Sequence, residues 1–273
     1  MTNVFRERLL ANKVAFLTGG GSGIGLAIAE CFAEHDAAVI LAGRNAQRLE
    51  TAKAQLESRR AKVYIEPLDV RNYQSLESAV ERTRQNVGEI DLVIAAAAGN
   101  FPAPASAMSP NGFKAVIDID VLGTFNTMRA VYPHLRRPGA SLIAISAAHA
   151  TVPFAYQSHV CAAKAGVELL LKTLAVEWGP EGIRCNCITP GATADTEGMR
   201  RLAPTTEIQD RARARIPLRR FGTKEELASL ALFLCSDAAA YITGATFVCD
   251  GGQSLSRSES SFASAWRAAQ PGQ

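Results

Sequence analysis

Near the start of the chain, the residues best suited to do chemistry stand in one run, Gly19-Gly20-Gly21-Ser22-Gly23-Ile24-Gly25. A glycine turn lets backbone N–H groups approach an anion closely. When a helix opens directly after the turn, its first N–H groups and its dipole add to the attraction. Both flanks fit. Val14-Ala15-Phe16-Leu17-Thr18 is an apolar run that reads as a buried strand, and Leu26 to Phe32 reads as a helix. Strand, glycine turn and helix together form a dinucleotide pyrophosphate site, lined by Thr18, Gly19, Gly21, Ser22, Gly23, Ile24 and Gly25. Glycine clusters also mark ordinary turns, so the flanking elements carry this reading.

The second strand-like run, Ala38 to Ala42, ends in Gly43-Arg44-Asn45. An acid at this place would accept from the ribose 2′-hydroxyl of NAD and repel a 2′-phosphate, whereas an Arg would hold that phosphate. Arg44, with Asn45 beside it, therefore points to NADP(H). The alternative is a surface arginine closing a loop.

These residues must be positioned by repeated units. Further strand-like runs lie at Val63 to Pro67, Leu92 to Ala96, Ser141 to Ile145, Arg184 to Thr189 and Phe247 to Cys249, with helix-like stretches between them. That alternation predicts an α/β fold, a Rossmann-like doubly wound parallel sheet in one domain over residues 1–253, followed by a C-terminal tail over 254–273. Ligands of such sheets bind beyond the carboxyl ends of the strands. The residues there are Asp69-Val70-Arg71, Ala97-Ala98-Gly99-Asn100-Phe101, Ser146-Ala147 and Pro190-Gly191.

Composition agrees. The 273 residues are 48% hydrophobic, enough to bury a large single core, and the formal net charge of +3 is too small to imply a nucleic-acid partner. No stretch has the length of a membrane span, and the polar N-terminal segment has no apolar signal core. The six cysteines lack paired CxxC spacing and read as buried free thiols in a cytoplasmic, reducing location. Cys185 and Cys187 fall on one strand face, but two thiols do not make a zinc site, and no metal is expected.

With these residues in place, the chain resembles the short-chain dehydrogenase/reductase family from about Lys13 to Gly252. The matches are Thr18 to Gly25, Asp69-Val70, Ala98-Gly99, Lys164, Asn186 with Pro190-Gly191, and Asp250-Gly251-Gly252. The resemblance implies that Asp69, Val70, Ala97, Gly99, Lys164, Pro190 and Gly191 join the glycine turn, Arg44 and Asn45 around the cofactor. It also implies a homodimer or homotetramer.

The chain departs from the family at its chemistry. The family's active-site Asn, Ser and Tyr would fall at Asp120, Ala147 and Val160, and only Lys164 keeps the expected type. A valine cannot donate a proton. One branch shares this departure: the segment Asp118-Ile119-Asp120-Val121-Leu122-Gly123-Thr124-Phe125-Asn126, with His159 and Lys164, is similar to the 2,4-dienoyl-CoA reductases of peroxisomal type. That branch implies NADPH-dependent reduction of an acyl-CoA in unsaturated fatty-acid β-oxidation. Asp120 and Lys164 would be catalytic, holding between them the water that protonates the dienolate, and Arg71, Phe101, His159 and Arg201 would meet the substrate. His149 could equally border the cofactor. Two other readings stay open: a carbonyl or hydroxyacyl oxidoreductase using Tyr156, or an inactive NADP-binding scaffold.

Overall fold

The computed structural model describes residues 5, 7–59 and 61–255, so the expected tail lies almost wholly outside the described residues. The elements are strands alternating with one or more helices along the chain. They begin β1 Val14–Thr18, α1 Gly23–Glu34, β2 Ala38–Gly43, α2 Ala46–Glu57, β3 Val63–Pro67, α3 Tyr73–Asn86 and β4 Leu92–Ala95. Next come α4 Pro110–Ile117, a π-helical turn Asp118–Leu122, α5 Gly123–Val131, β5 Ser141–Ile145, α6 Ser158–Trp178 and β6 Arg184–Pro190. The last are α7 Glu197–Leu202, α8 Thr206–Ala214, α9 Lys224–Cys235 and β7 Thr246–Cys249.

All seven strands pair in parallel in the order β3-β2-β1-β4-β5-β6-β7. The order reverses between β1 and β4, which opens a crevice beyond their carboxyl ends. Strand ends differ from the sequence pattern by a residue or so: β2 and β6 run on to Gly43 and Pro190 because these pair with Pro67 and Cys249.

Alternation along each strand splits the core into two layers. Val14 and Phe16 of β1 pack with Leu76 and Val80 of α3, Val131 of α5 and Leu171 of α6. Ala15 and Leu17 face the other way, onto Ile28 and Phe32 of α1, Leu49 of α2 and Leu232 of α9. Each fully buried side chain of this size contributes about 1.5–3 kcal/mol, so a one-residue slip of β1, which exchanges its two faces, is strongly disfavoured.

Candidate active site

The glycine turn forms a cradle that side chains would fill. Gly19 has φ +72°, and a Cβ there would lie 2.7 Å from the Ala96 and Ala97 backbone; a Cβ on Gly25 would lie 2.4 Å from the Gly19 carbonyl oxygen. The turn therefore packs directly on the end of β4 beside Ala97. Ser22 caps α1 with extended backbone but makes no side-chain cap bond, which leaves the N-terminal amides of this twelve-residue helix for another acceptor. Thr18 is buried at the strand end, and Ile24 is partly buried against the α1 side of the core. This donor set fits a dinucleotide pyrophosphate.

A cleft runs outward from Gly21, Ser22 and Gly23, bounded by Asn45, Gln47 and Arg48 on one side and by Asp195, Glu197 and Arg200 on the other. Asn45 caps α2, its side chain accepting from the Arg48 N–H at 2.9 Å, and its amide nitrogen is left to donate to a ligand. Arg44 is exposed at the end of β2. Arg48 was not legible as a site residue; its signal is the Asn45 cap, which places position 48 in the first helical turn at the cleft.

Asp69 and Arg71, expected to serve cofactor and substrate separately, hold each other. The Arg71 guanidinium donates to the Asp69 carboxylate at 3.0 Å from Nε to Oδ1 and 2.6 Å from Nη2 to Oδ2. These bonds hold the Asp69 carboxyl below the usual carboxylate range against the opposing effect of burial, and the Arg44 charge adds to them. Val70 is a spacer: its carbonyl accepts from Asn126 Nδ2 at 2.9 Å, and a Cβ on Gly123 would lie 2.5 Å from its Cγ2. Gly123 thus lets α5 start flush against Val70, which fixes the π-helical turn just before it.

That turn carries Asp120. π-Helical turns are rare and recur where a helix must re-aim a side chain. The Asp120 side chain is fully buried, its Oδ1 accepts from the Gly99 N–H at 2.7 Å, and its Oδ2 lies 3.0 Å from Lys164 Nζ. Oδ2 is within ion-pair distance of the ammonium yet makes no directed hydrogen bond, so it keeps the capacity to accept one. Lys164 also donates to the Ile145 carbonyl at 3.1 Å, its one directed hydrogen bond among the described residues, which leaves N–H capacity for a ligand. The sequence expectation placed a water between Asp120 and Lys164. The structure corrects this: the two side chains touch, and a water bound by both must sit beside the pair.

The helix that carries Lys164 is tied down by a residue that the sequence reading missed. Glu168, one turn along α6, is buried and accepts from Ser146 Oγ at 2.7 Å and Thr189 Oγ1 at 3.1 Å, tying α6 to the carboxyl ends of β5 and β6. Its signal in the sequence is a lone acid on an otherwise apolar helix face, four residues after the lysine.

Val160 is 3% exposed and packs with Val116 and Ala163. Ala147 follows β5 with extended backbone and no hydroxyl. His159 is fully buried, its ring 4.6 Å from the ring of Phe101. His149 stacks on Phe154 at 3.8 Å. Tyr156 is 62% exposed and has φ 65°, and its carbonyl accepts from the Ala103 N–H. Pro190 ends β6, and the Gly191 N–H donates to the Cys249 carbonyl at 3.0 Å. Arg201 lies in α7, but its side chain is outside the described residues. Burial pushes the Cys185 and Cys187 thiols up to about 12, which makes them inert, and no metal-binding group occurs among the described residues. No helix among them is long and apolar enough to cross a membrane.

Residues 19–254 match a family described as enoyl-(acyl carrier protein) reductase. The chain is 43% identical over 258 residues to the peroxisomal, (3E)-enoyl-CoA-producing 2,4-dienoyl-CoA reductase of Saccharomyces cerevisiae, covering 91% of this chain and 86% of that protein. It is 39% identical to a probable (2E)-enoyl-CoA-producing 2,4-dienoyl-CoA reductase of Bacillus subtilis, covering 90% and 98%. Among solved structures it is similar to a gluconate 5-dehydrogenase from Burkholderia cenocepacia in complex with NADP and tartrate, with TM-score 0.86, 29% identity and 91% and 98% coverage.

Proposed function

Since the chain belongs to the short-chain dehydrogenase/reductase family, we propose that it reduces 2,4-dienoyl-CoA thioesters with NADPH through Asp120 and Lys164, without a catalytic phenol. The observation that carries this reading is the buried Asp120–Lys164 contact, in a chain whose Val160 and Ala147 supply no hydroxyl.

When bound, NADPH would supply the hydride for the far end of the diene. The chain's residues do the rest. Thr18 to Gly25 hold the pyrophosphate and Arg44 the 2′-phosphate, with Asn45, Asp69, Val70, Ala97, Gly99, Pro190 and Gly191 lining the cofactor crevice. Lys164 uses its remaining N–H on the ribose. Asp120 orients a water through Oδ2; that water gives its proton to the carbon next to the thioester, and the Lys164 ammonium reprotonates the hydroxide left behind and regains its own proton from solvent. Protonation there leaves the double bond between the third and fourth carbons, the outcome stated in the name of the yeast relative rather than that of the Bacillus one. Phe101 and His159 line the acyl pocket. Arg71 and Arg201 serve the CoA phosphates, and Arg71 can turn from Asp69 because both are partly exposed.

A homo-oligomer is supported by Leu169 and Val176, which leave one stripe of α6 66% and 79% exposed. A cytoplasmic location is supported by the six free cysteines, whereas the yeast relative is named peroxisomal; cell fractionation decides between them.

The test is single-turnover NADPH oxidation with 2,4-hexadienoyl-CoA, a 3-ketoacyl-CoA and a 2-enoyl-CoA, with the product identified by NMR. Rapid oxidation with the dienoyl thioester alone, giving a 3-enoyl-CoA, supports the proposal. Reduction of the ketone instead contradicts it.

A further inference from the structure

The Asp120–Lys164 pair accounts for a proton but not for the oxygen. Hydride addition to a dienoyl thioester drives negative charge onto the thioester oxygen, and a site that speeds this step must aim a donor at that atom. Ala147 and Val160 have no side-chain donor, and Lys164 donates to Ile145, is paired with the Asp120 charge and serves the ribose in the reading above.

His159 has the matching unmet capacity. It is fully buried, and neither ring nitrogen has a hydrogen-bond partner. An imidazole in either protonation state carries at least one N–H, and leaving a buried donor unmet costs about 1–3 kcal/mol. Gln157, two residues earlier and 5% exposed, likewise leaves its Oε1 without a partner. These unmet atoms lie where the machinery converges. The Phe101 ring against His159 belongs to the loop whose Gly99 N–H is held by Asp120, and the Ala103 bond to the Tyr156 carbonyl closes that loop onto the start of α6. His159 therefore lies on the helix that carries the lysine and packs against the loop whose Gly99 N–H donates to the carboxylate.

We propose that His159 is a further catalytic residue whose ring N–H donates to the thioester oxygen as charge develops there, with Phe101 fixing the plane of the ring. This rests on the dienoyl-CoA reading and adds the group that polarises the substrate.

The test reads the carbonyl directly. A dienoyl thioester absorbs at longer wavelength when its oxygen accepts a strong hydrogen bond, so 2,4-hexadienoyl-CoA bound to the enzyme with NADP+ should show a red shift. His159→Leu should abolish that shift and lower kcat by about 10²- to 10³-fold, while NADPH affinity stays within about twofold. Its ligand-free Tm should not fall, because an apolar group replaces unmet polar atoms. A folded His159→Leu protein that keeps the red shift and a kcat within about threefold of wild type overturns the assignment. If the Leu variant does not fold, His159→Asn keeps an N–H with shorter reach, and an unchanged shift in that variant overturns it equally. A wild-type protein with no dienoyl-dependent NADPH oxidation would instead remove the functional reading itself, and this assignment with it.

Discussion

Asp120 Oδ2 and Lys164 Nζ stand 3.0 Å apart with 0% and 8% of their side chains exposed, so a carboxylate from the π-helical turn and an ammonium from α6 share one buried contact. Breaking a buried pair from one side leaves an uncompensated charge, which costs about 3–5 kcal/mol. Asp120→Leu and Lys164→Met should each lower stability by that order, and the double variant should recover most of the loss. Urea denaturation of the three proteins checks this; additive losses would mean that the two groups do not interact.

Cofactor choice should depend on Arg44. A charged hydrogen-bonding partner is worth roughly 1.5–3 kcal/mol, so Arg44→Ala should weaken NADPH about tenfold to a hundredfold and leave NADH nearly unchanged. Fluorescence titration with both cofactors measures the ratio. Equal weakening of the two would remove Arg44 from the 2′-phosphate.

Glu226 caps α9, accepting from the Thr223 N–H at 2.8 Å and from Arg220 Nη2 at 2.5 Å, and the Arg220 contact draws its carboxyl from the usual 4.5 down to about 2. A lowered folded-state pKa gives stability that is fully present above the unfolded value and lost as pH falls through the folded one. The Tm advantage of wild type over Glu226→Gln should therefore be constant above about pH 4.5 and fade towards pH 2. An advantage independent of pH over this range would show that the carboxylate charge plays no part.

Leu169 and Val176 should hold a subunit contact. The double variant Leu169→Asp/Val176→Asp places two charges on the exposed stripe of α6 and should reduce the mass seen by light scattering to that of a smaller assembly. An unchanged mass would place the contact elsewhere.

Much of this molecule was legible in its residues, for physical reasons that differ from place to place. The β1 run Val14 to Thr18 could be read because it is buried on both faces, and the glycine turn because Gly19 and Gly25 sit where no side chain fits. Asp120 was reachable only through resemblance, since nothing in the local pattern of Asp118 to Leu122 announces a π-helical turn; that turn depends on Gly123 meeting Val70, a distant contact. The Asp69–Arg71 pair and the Glu168 brace were missed for a related reason. Each depends on which neighbour a polar side chain finds after folding, and a one-dimensional pattern records the side chain but not the neighbour.

The central claim is that the proton comes through Asp120 and not through a displaced phenol, and single-turnover NADPH oxidation with 2,4-hexadienoyl-CoA in Asp120→Ala and Tyr156→Phe tests it most directly. The account predicts that Asp120→Ala binds NADPH normally but reacts about 10²- to 10⁴-fold more slowly, whereas Tyr156→Phe, altered at an exposed residue, keeps most of its rate. An active Asp120→Ala protein beside a folded, NADPH-binding but inactive Tyr156→Phe protein would contradict it.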